Sequence, residues 1–214
     1  RFNTDTAHRL TRRIDFDVPI QVHGFRAPAA ADDDSVALDM AQQVLAQGES
    51  SRLNTSLVRR DALAVMAGGT NMFLGQAGMS LFFVVHTPDI GSDRVDRAIA
   101  QQLKTLRDTG VSDEELEKVR SSALTSLTFD LYSAERLAHH IGYAATVEGD
   151  YRHWSSRLDA LQTITADDVQ RVVSRWWDDS GRWVLTLKPR RVRPMMFVAG
   201  MANRVVSWFR RGKR

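Results

Sequence analysis

The sequence predicts an α+β fold, a mostly antiparallel sheet with helices packed on one face. Three observations predict it. Segments alternating with a period of two open and close the body of the chain, and amphipathic segments of helical period lie between them. The order of these signals is β, α, α, β, β, several helices, then β, which suits a sheet covered on one side. Two of the strands are separated only by LGQAG, whose Gly75 and Gly78 suit a hairpin connection, so they are expected as antiparallel neighbours.

Residues 1–17 are polar, with Arg9, Arg12 and Arg13 against Asp15 and Asp17, and read as a linker arriving from upstream. In VPIQVHGFRAP, Val18, Ile20 and Val22 alternate with Pro19, Gln21 and His23, and Pro28 closes the strand. DDDSVALDMAQQVLAQG has acids in its first turn, Ala37, Ala41, Val44 and Leu45 at helical spacing, and Gly48 as its stop. A second helix spans Ser51 to Arg60. Strands follow from about Leu63 to Phe73 and from Met79 to Thr87.

Val95, Ala98, Ile99, Leu103 and Leu106 mark a helix from Ser92 to Thr109 that Gly110 ends. Ser112 with Glu115 forms a capping box opening a long helical region, broken near Asp130 to Ser133 and continuing through Ala134 to Val147, with Gly149 at its end. Helices from Tyr151 to Leu161 and from Thr165 to Trp177 complete the set, the latter capped by Thr165 with Asp168. RWVLTLKP is the last strand, stopped by Pro189. Residues 190–214 lie outside this plan, leaving 18–189 as the domain.

Several function classes are excluded or disfavoured. There is no cysteine, so disulfides, thiolate zinc sites and cysteine nucleophiles are absent. No run of about 18 apolar residues suits a membrane span. The first residue, Arg1, is neither an initiator Met nor part of a signal-peptide pattern, so the chain is expected to begin partway through a longer product. The net charge of +3 conceals an asymmetry: eight Lys or Arg and no acid lie in 190–214, leaving 21 basic against 26 acidic residues before them, a body charge of −5. That distribution argues against a nucleic-acid partner. Ser50, Ser51 and Asn54 lack a G-x-S-x-G elbow and read as a helix start. GQAG and MAGGT lack the lysine and spacing of a phosphate loop and read as turns, and Trp154, Trp176, Trp177 and Trp183 read as packing.

GFRAP, the Asp-rich helix start, LAQGESSRL, the Leu57-Val58-x-x-x-x-Leu63-Ala64 core, GVSDEELEKVR, SAERLAHHIGYA and ITADDVQRVVSRW come in an order that resembles a half-domain of the pitrilysin/insulinase family of zinc metallopeptidases, bacterial or mitochondrial-processing-peptidase-like. The resemblance covers roughly residues 18–189. It implies two similar halves, in one chain or in partner subunits, closing like a clamshell around an extended peptide. The catalytic half carries His-x-x-Glu-His, with two histidines for zinc and a Glu that activates water. The six histidines here are His8, His23, His86, His139, His140 and His153, and no pair is three or four apart. The resemblance therefore implies the C-terminal non-catalytic half, with no cofactor in this chain and zinc in a partner half.

In that half, family members carry an Arg after the second Leu of the segment matching SRLNTSLVRRDALAVMAGG, and a Tyr seven residues later, both reaching toward the substrate. Ungapped alignment puts Val58 and Val65 there, so no catalytic residue is expected in this chain. Arg59 and Arg60 are candidates for holding acidic substrate, against a simpler reading as solvated cations at a helix end.

The tail RPMMFVAGMANRVVSWFRRGKR, if helical over 195–211, gathers Val198, Met201, Ala202, Val205, Trp208 and Phe209 on one face and Arg204, Arg210 and Arg211 on the other. Such a helix suits peripheral membrane contact or a partner's groove, with Arg204, Trp208, Phe209, Arg210 and Arg211 as the contacting residues, against a terminal segment packed on its own domain. The expected function is completion of the peptide-binding chamber beside a zinc-bearing half, with extended peptide as substrate. The alternative is a non-proteolytic scaffold or assembly subunit of the same fold, comparable to the core subunits of the respiratory bc1 complex. The compartment stays open, periplasm or cytoplasm if the source is bacterial.

Overall fold

The computed structural model describes residues 8–190, which contain one five-stranded sheet. Its strands are β1 (His8–Ile14), β2 (Ile20–Ala27), β3 (Met66–Met72), β4 (Gly78–Val85) and β5 (Trp183–Pro189), in the order β1-β5-β2-β4-β3. All pairings are antiparallel except β1 on β5. The helices are α1 (Asp34–Ala46), α2 (Ser92–Thr109), α3 (Asp113–Leu131), α4 (Ala134–Tyr143), α5 (His153–Thr163) and α6 (Ala166–Trp176), with a π-helical turn at Asn54–Arg60. This is the α+β architecture the element order predicts.

One sheet face is buried and the other is not. The buried side takes Phe25 and Ala27 of β2, Ser80, Phe82 and Val84 of β4, and Val184 and Thr186 of β5. Against it pack Leu38, Met40 and Leu45 of α1, Ile99 and Leu103 of α2, and Val172 of α6. Trp177 is fully buried and meets Phe82 edge-to-face at 4.9 Å between ring centroids. On the other side Ile20, Val22, Leu81, Phe83, Val85, Leu185 and Leu187 are only half-buried. In the first half of VPIQVHGFRAP the alternation therefore runs opposite to hydrophobicity: polar Gln21 and His23 enter the core while apolar Ile20 and Val22 face away from it.

His23 is wholly inaccessible, and burial pushes its pKa down to about 4, with Asp96 opposing and Arg182 and Arg9 adding to the shift. Asp96 on α2 lies 3.9 Å from its Nδ1 and is itself held by Arg9 at 2.8 Å and Arg182 at 3.5 Å. Arg9 belongs to β1, in a segment whose sequence reads as linker. That reading is corrected: His8 to Ile14 pair with Trp183 to Pro189 residue for residue. A strand pairs through its backbone, so side chains as polar as HRLTRRI do not prevent it, and charged side chains are what an edge strand carries against further pairing. The residues proposed for the tail surface, Arg204, Trp208, Phe209, Arg210 and Arg211, lie outside the described residues.

Helix limits follow local chemistry. Ser112 and Glu115 close their capping box at the start of α3, as do Thr165 and Asp168 at α6. The expected break falls between Leu131 and Ala134, where Ser133 caps α4, and Gly149 ends the following turn at a φ of 84°.

Candidate functional site

The segment from Gly48 to Phe73 links α1 to the free edge of the sheet. Gly48 turns the chain at a φ of 76°, and its carbonyl accepts from Ser51 Oγ at 2.8 Å and Asn54 Nδ2 at 3.0 Å. Asn54 also donates to the Ala67 carbonyl at 2.9 Å, tying the turn to β3. Ser51 and Asn54 are thus fastenings. Arg52, quoted in the sequence motif without a role, grips Glu115 of α3 with two bonds of 2.8 and 2.7 Å and reaches the Gly110 carbonyl at 2.9 Å. Those bonds hold the Glu115 carboxyl below its usual range, with burial opposing.

The predicted second helix forms with a widened turn, in which Asp61 N–H donates to the Ser56 carbonyl at 2.8 Å. The chain then folds back, with Leu63 and Ala64 N–H both donating to the Leu57 carbonyl at 2.7 and 3.1 Å. Ala62 takes a φ of 49° to make this turn. Because of it, β3 starts at Met66, not near Leu63.

Val58 is half-buried against the core, and Val65 is 54% exposed at the entry to β3, where its N–H donates to the Val85 carbonyl at 2.8 Å. Neither offers a polar group beyond the backbone. Arg59 pairs with Glu49 at 2.6 Å, and Arg60 bonds Asp61 at 3.0 and 3.1 Å. Each is exposed and satisfied by a carboxylate close in sequence.

A cavity of about 720 Å³ lies beside this segment, between α1 and α3, with Phe73 and Leu161 also on its wall. Its charged groups are Asp39 of α1, Glu115 and Lys118 of α3, and Arg157 of α5, with Gln43 and several serines among its neutral polar ones. Burial pushes the Asp39 carboxyl up, with bonds from Gln43 and Asn71 and the charge of Arg157 opposing. Asp34, at the start of α1, is buried and accepts from Arg171 at 2.7 Å, Arg175 at 2.9 Å and Trp176 Nε1 at 2.8 Å, which binds α1 to α6. The acidic run signals a helix start, but Asp34's partners stand 137 to 142 positions away and no local signal names them.

Among the described residues no group of three or more His, Asp or Glu is placed to hold a metal ion. His140 is taken up by Asp130 at 2.9 Å and stacks on Trp154 at 4.5 Å, and the adjacent His139 ring stands 6.0 Å from it at 86°. These residues do not fit a zinc ion.

A family model described as the peptidase M16 inactive domain matches residues 3–123, more than half of the chain. The chain belongs to the peptidase M16 inactive-domain family. The match begins within the segment read as linker, in keeping with the pairing of β1. Zinc protease PqqE of Helicobacter pylori is 26% identical to this M16 domain over 168 residues, 78% of this chain and 37% of that protein. The inactive peptidase domain of a putative zinc protease from Bordetella parapertussis is 28% identical with a TM-score of 0.76, over 86% of this chain and 96% of that one. A Helicobacter pylori protease shares the fold at a TM-score of 0.82 and 24% identity, over 87% of this chain and 45% of that one. The M16 domain thus spans less than half the length of both Helicobacter relatives.

Proposed function

We propose that this M16 inactive domain completes a peptide-holding chamber beside a zinc-bearing half and does not hydrolyse peptides by itself. The observation that carries the reading is the partly exposed apolar sheet face of Ile20, Val22, Leu81, Phe83, Leu185 and Leu187. A contiguous apolar face of this kind marks an interaction surface. The relatives that extend well beyond this chain include a zinc protease, so the zinc and its water-activating Glu are assigned to the remaining half. Extended peptide is the expected substrate, held by strand addition to the β3 edge, where backbone donors and acceptors set affinity with little sequence preference.

The test is peptide hydrolysis with zinc analysis for this chain alone, a zinc-bearing half alone, and the two mixed. The mixture is expected to cleave faster than the zinc-bearing half, with no zinc and no turnover in this chain alone. Stoichiometric zinc or activity in the isolated chain would overturn the reading.

Val58 and Val65 favour a second reading, a non-proteolytic scaffold of the same fold, because an Arg and a Tyr there would hold a scissile carbonyl and two valines cannot. A mixture no faster than the zinc-bearing half would select it.

A further inference from the structure

The cavity between α1 and α3 has two carboxylates on its wall, Glu115 and Asp39, and they are met differently. Glu115 is held by Arg52, Arg157 by Glu148 at 2.8 Å, and Lys118 donates to Ser50. Asp39 is met by two amides instead, Gln43 at 3.3 Å and Asn71 at 3.4 Å, both long for hydrogen bonds. A carboxylate drawn out of water and met by amides, with the Arg157 charge acting from beyond ion-pair distance, is left with a weakly compensated charge.

The cavity also has a fixed relation to the sheet edge. Among the described residues β3 pairs with β4 only, so its other edge is open. β3 runs along α1: Asn71 donates to the Leu38 carbonyl at 3.2 Å, and a Cβ added at Gly69 would stand 2.9 Å from that of Ala46. Phe73, one residue past the end of β3, lines the cavity together with Asp39. A strand added to this edge projects alternate side chains toward the helix layer, where the cavity lies.

We propose that this cavity is a subsite for a long basic side chain, lysine or arginine, of an extended peptide lying on the β3 edge. Val36, Phe73, Leu127 and Leu161 line the aliphatic stem, and Asp39 receives the cationic head. The assignment rests on the peptide-holding reading above and adds a side-chain preference to it.

The test is fluorescence anisotropy of the full chain with two labelled octapeptides that differ only in a central arginine or norleucine. The arginine peptide is expected to bind about tenfold more tightly, the gain of one well-formed charge pair. Asp39→Asn should bring the two peptides within about twofold of each other. Ser126→Arg, at an exposed position on the cavity wall, supplies a tethered guanidinium and should abolish the preference while leaving Asp39 in place. Equal binding of both peptides to the unaltered chain, or a preference that survives both substitutions, overturns the subsite and leaves the peptide-holding reading standing. Binding of neither peptide overturns both.

Discussion

Ala62 sits at a φ of 49°, in the left-handed region where a Cβ is disfavoured. The turn is imposed by its surroundings, since Leu63 and Ala64 beyond it bond back to the Leu57 carbonyl. Glycine takes that conformation without the steric penalty, so Ala62→Gly is expected to raise stability by about 0.5–1 kcal/mol in urea unfolding. A decrease would mean that the turn relaxes in solution. His23 supplies a second residue-level expectation. Its pKa falls from 6.5 to about 4 on folding, so between those pH values the unfolded chain binds a proton that the folded chain refuses. Stability should therefore drop as pH falls from about 6.5 to about 4, by on the order of 3 kcal/mol at about 1.4 kcal/mol per unit. His23→Gln should flatten that part of the profile, and an unchanged slope would assign it to other groups. Neither feature was legible locally: Ala is not a turn residue, and His23 alternates as an outward-facing residue would.

Elements bounded by local chemistry are legible in the sequence because their signals are contiguous. Ser112-x-x-Glu115 and Thr165-x-x-Asp168 need only three-residue spacing, and both boxes form. Glu115 then does more than its motif requires, since Arg52 binds it across 63 positions. Ser112→Ala is expected to cost about 1 kcal/mol as a lost cap. Arg52→Ala should cost about 1–3 kcal/mol, because it strips a charged bidentate bond and leaves the Gly110 carbonyl without its donor. Thermal unfolding of the two single variants and the double variant would show coupling through Glu115; strict additivity would contradict it. β1 was not legible, since its pairing with β5 uses backbone groups and its anchor, Arg9 on Asp96, joins residues 87 positions apart in the numbering of their pair. β3 was readable as a strand. Its tight fit was not: a Cβ at Gly68 would come within 2.6 Å of the Phe83 ring lying across it.

The whole molecule is a one-sided sandwich, and its unusual property is the apolar face that the helices do not bury. Leu185, near the centre of that face on β5, is half-buried, and Leu185→Lys can keep its ammonium in water. In the isolated domain this variant should change stability by under about 1 kcal/mol, whereas association with a zinc-bearing half, followed by analytical ultracentrifugation, should weaken by more than about tenfold. Unaltered association would remove this face from the interface. The sequence by itself determined the fold class, the order of the elements from β2 onward, their caps and the family, because periodicity and capping act over a few residues. The same string also records that Val58 and Val65 stand where an Arg and a Tyr would be expected. Tertiary structure decided which sheet face is covered, that His8–Ile14 joins the sheet, and that Asp39 shares a cavity with Phe73 beside an open edge. Those outcomes depend on contacts between residues tens of positions apart, whose pairing no short-range pattern encodes.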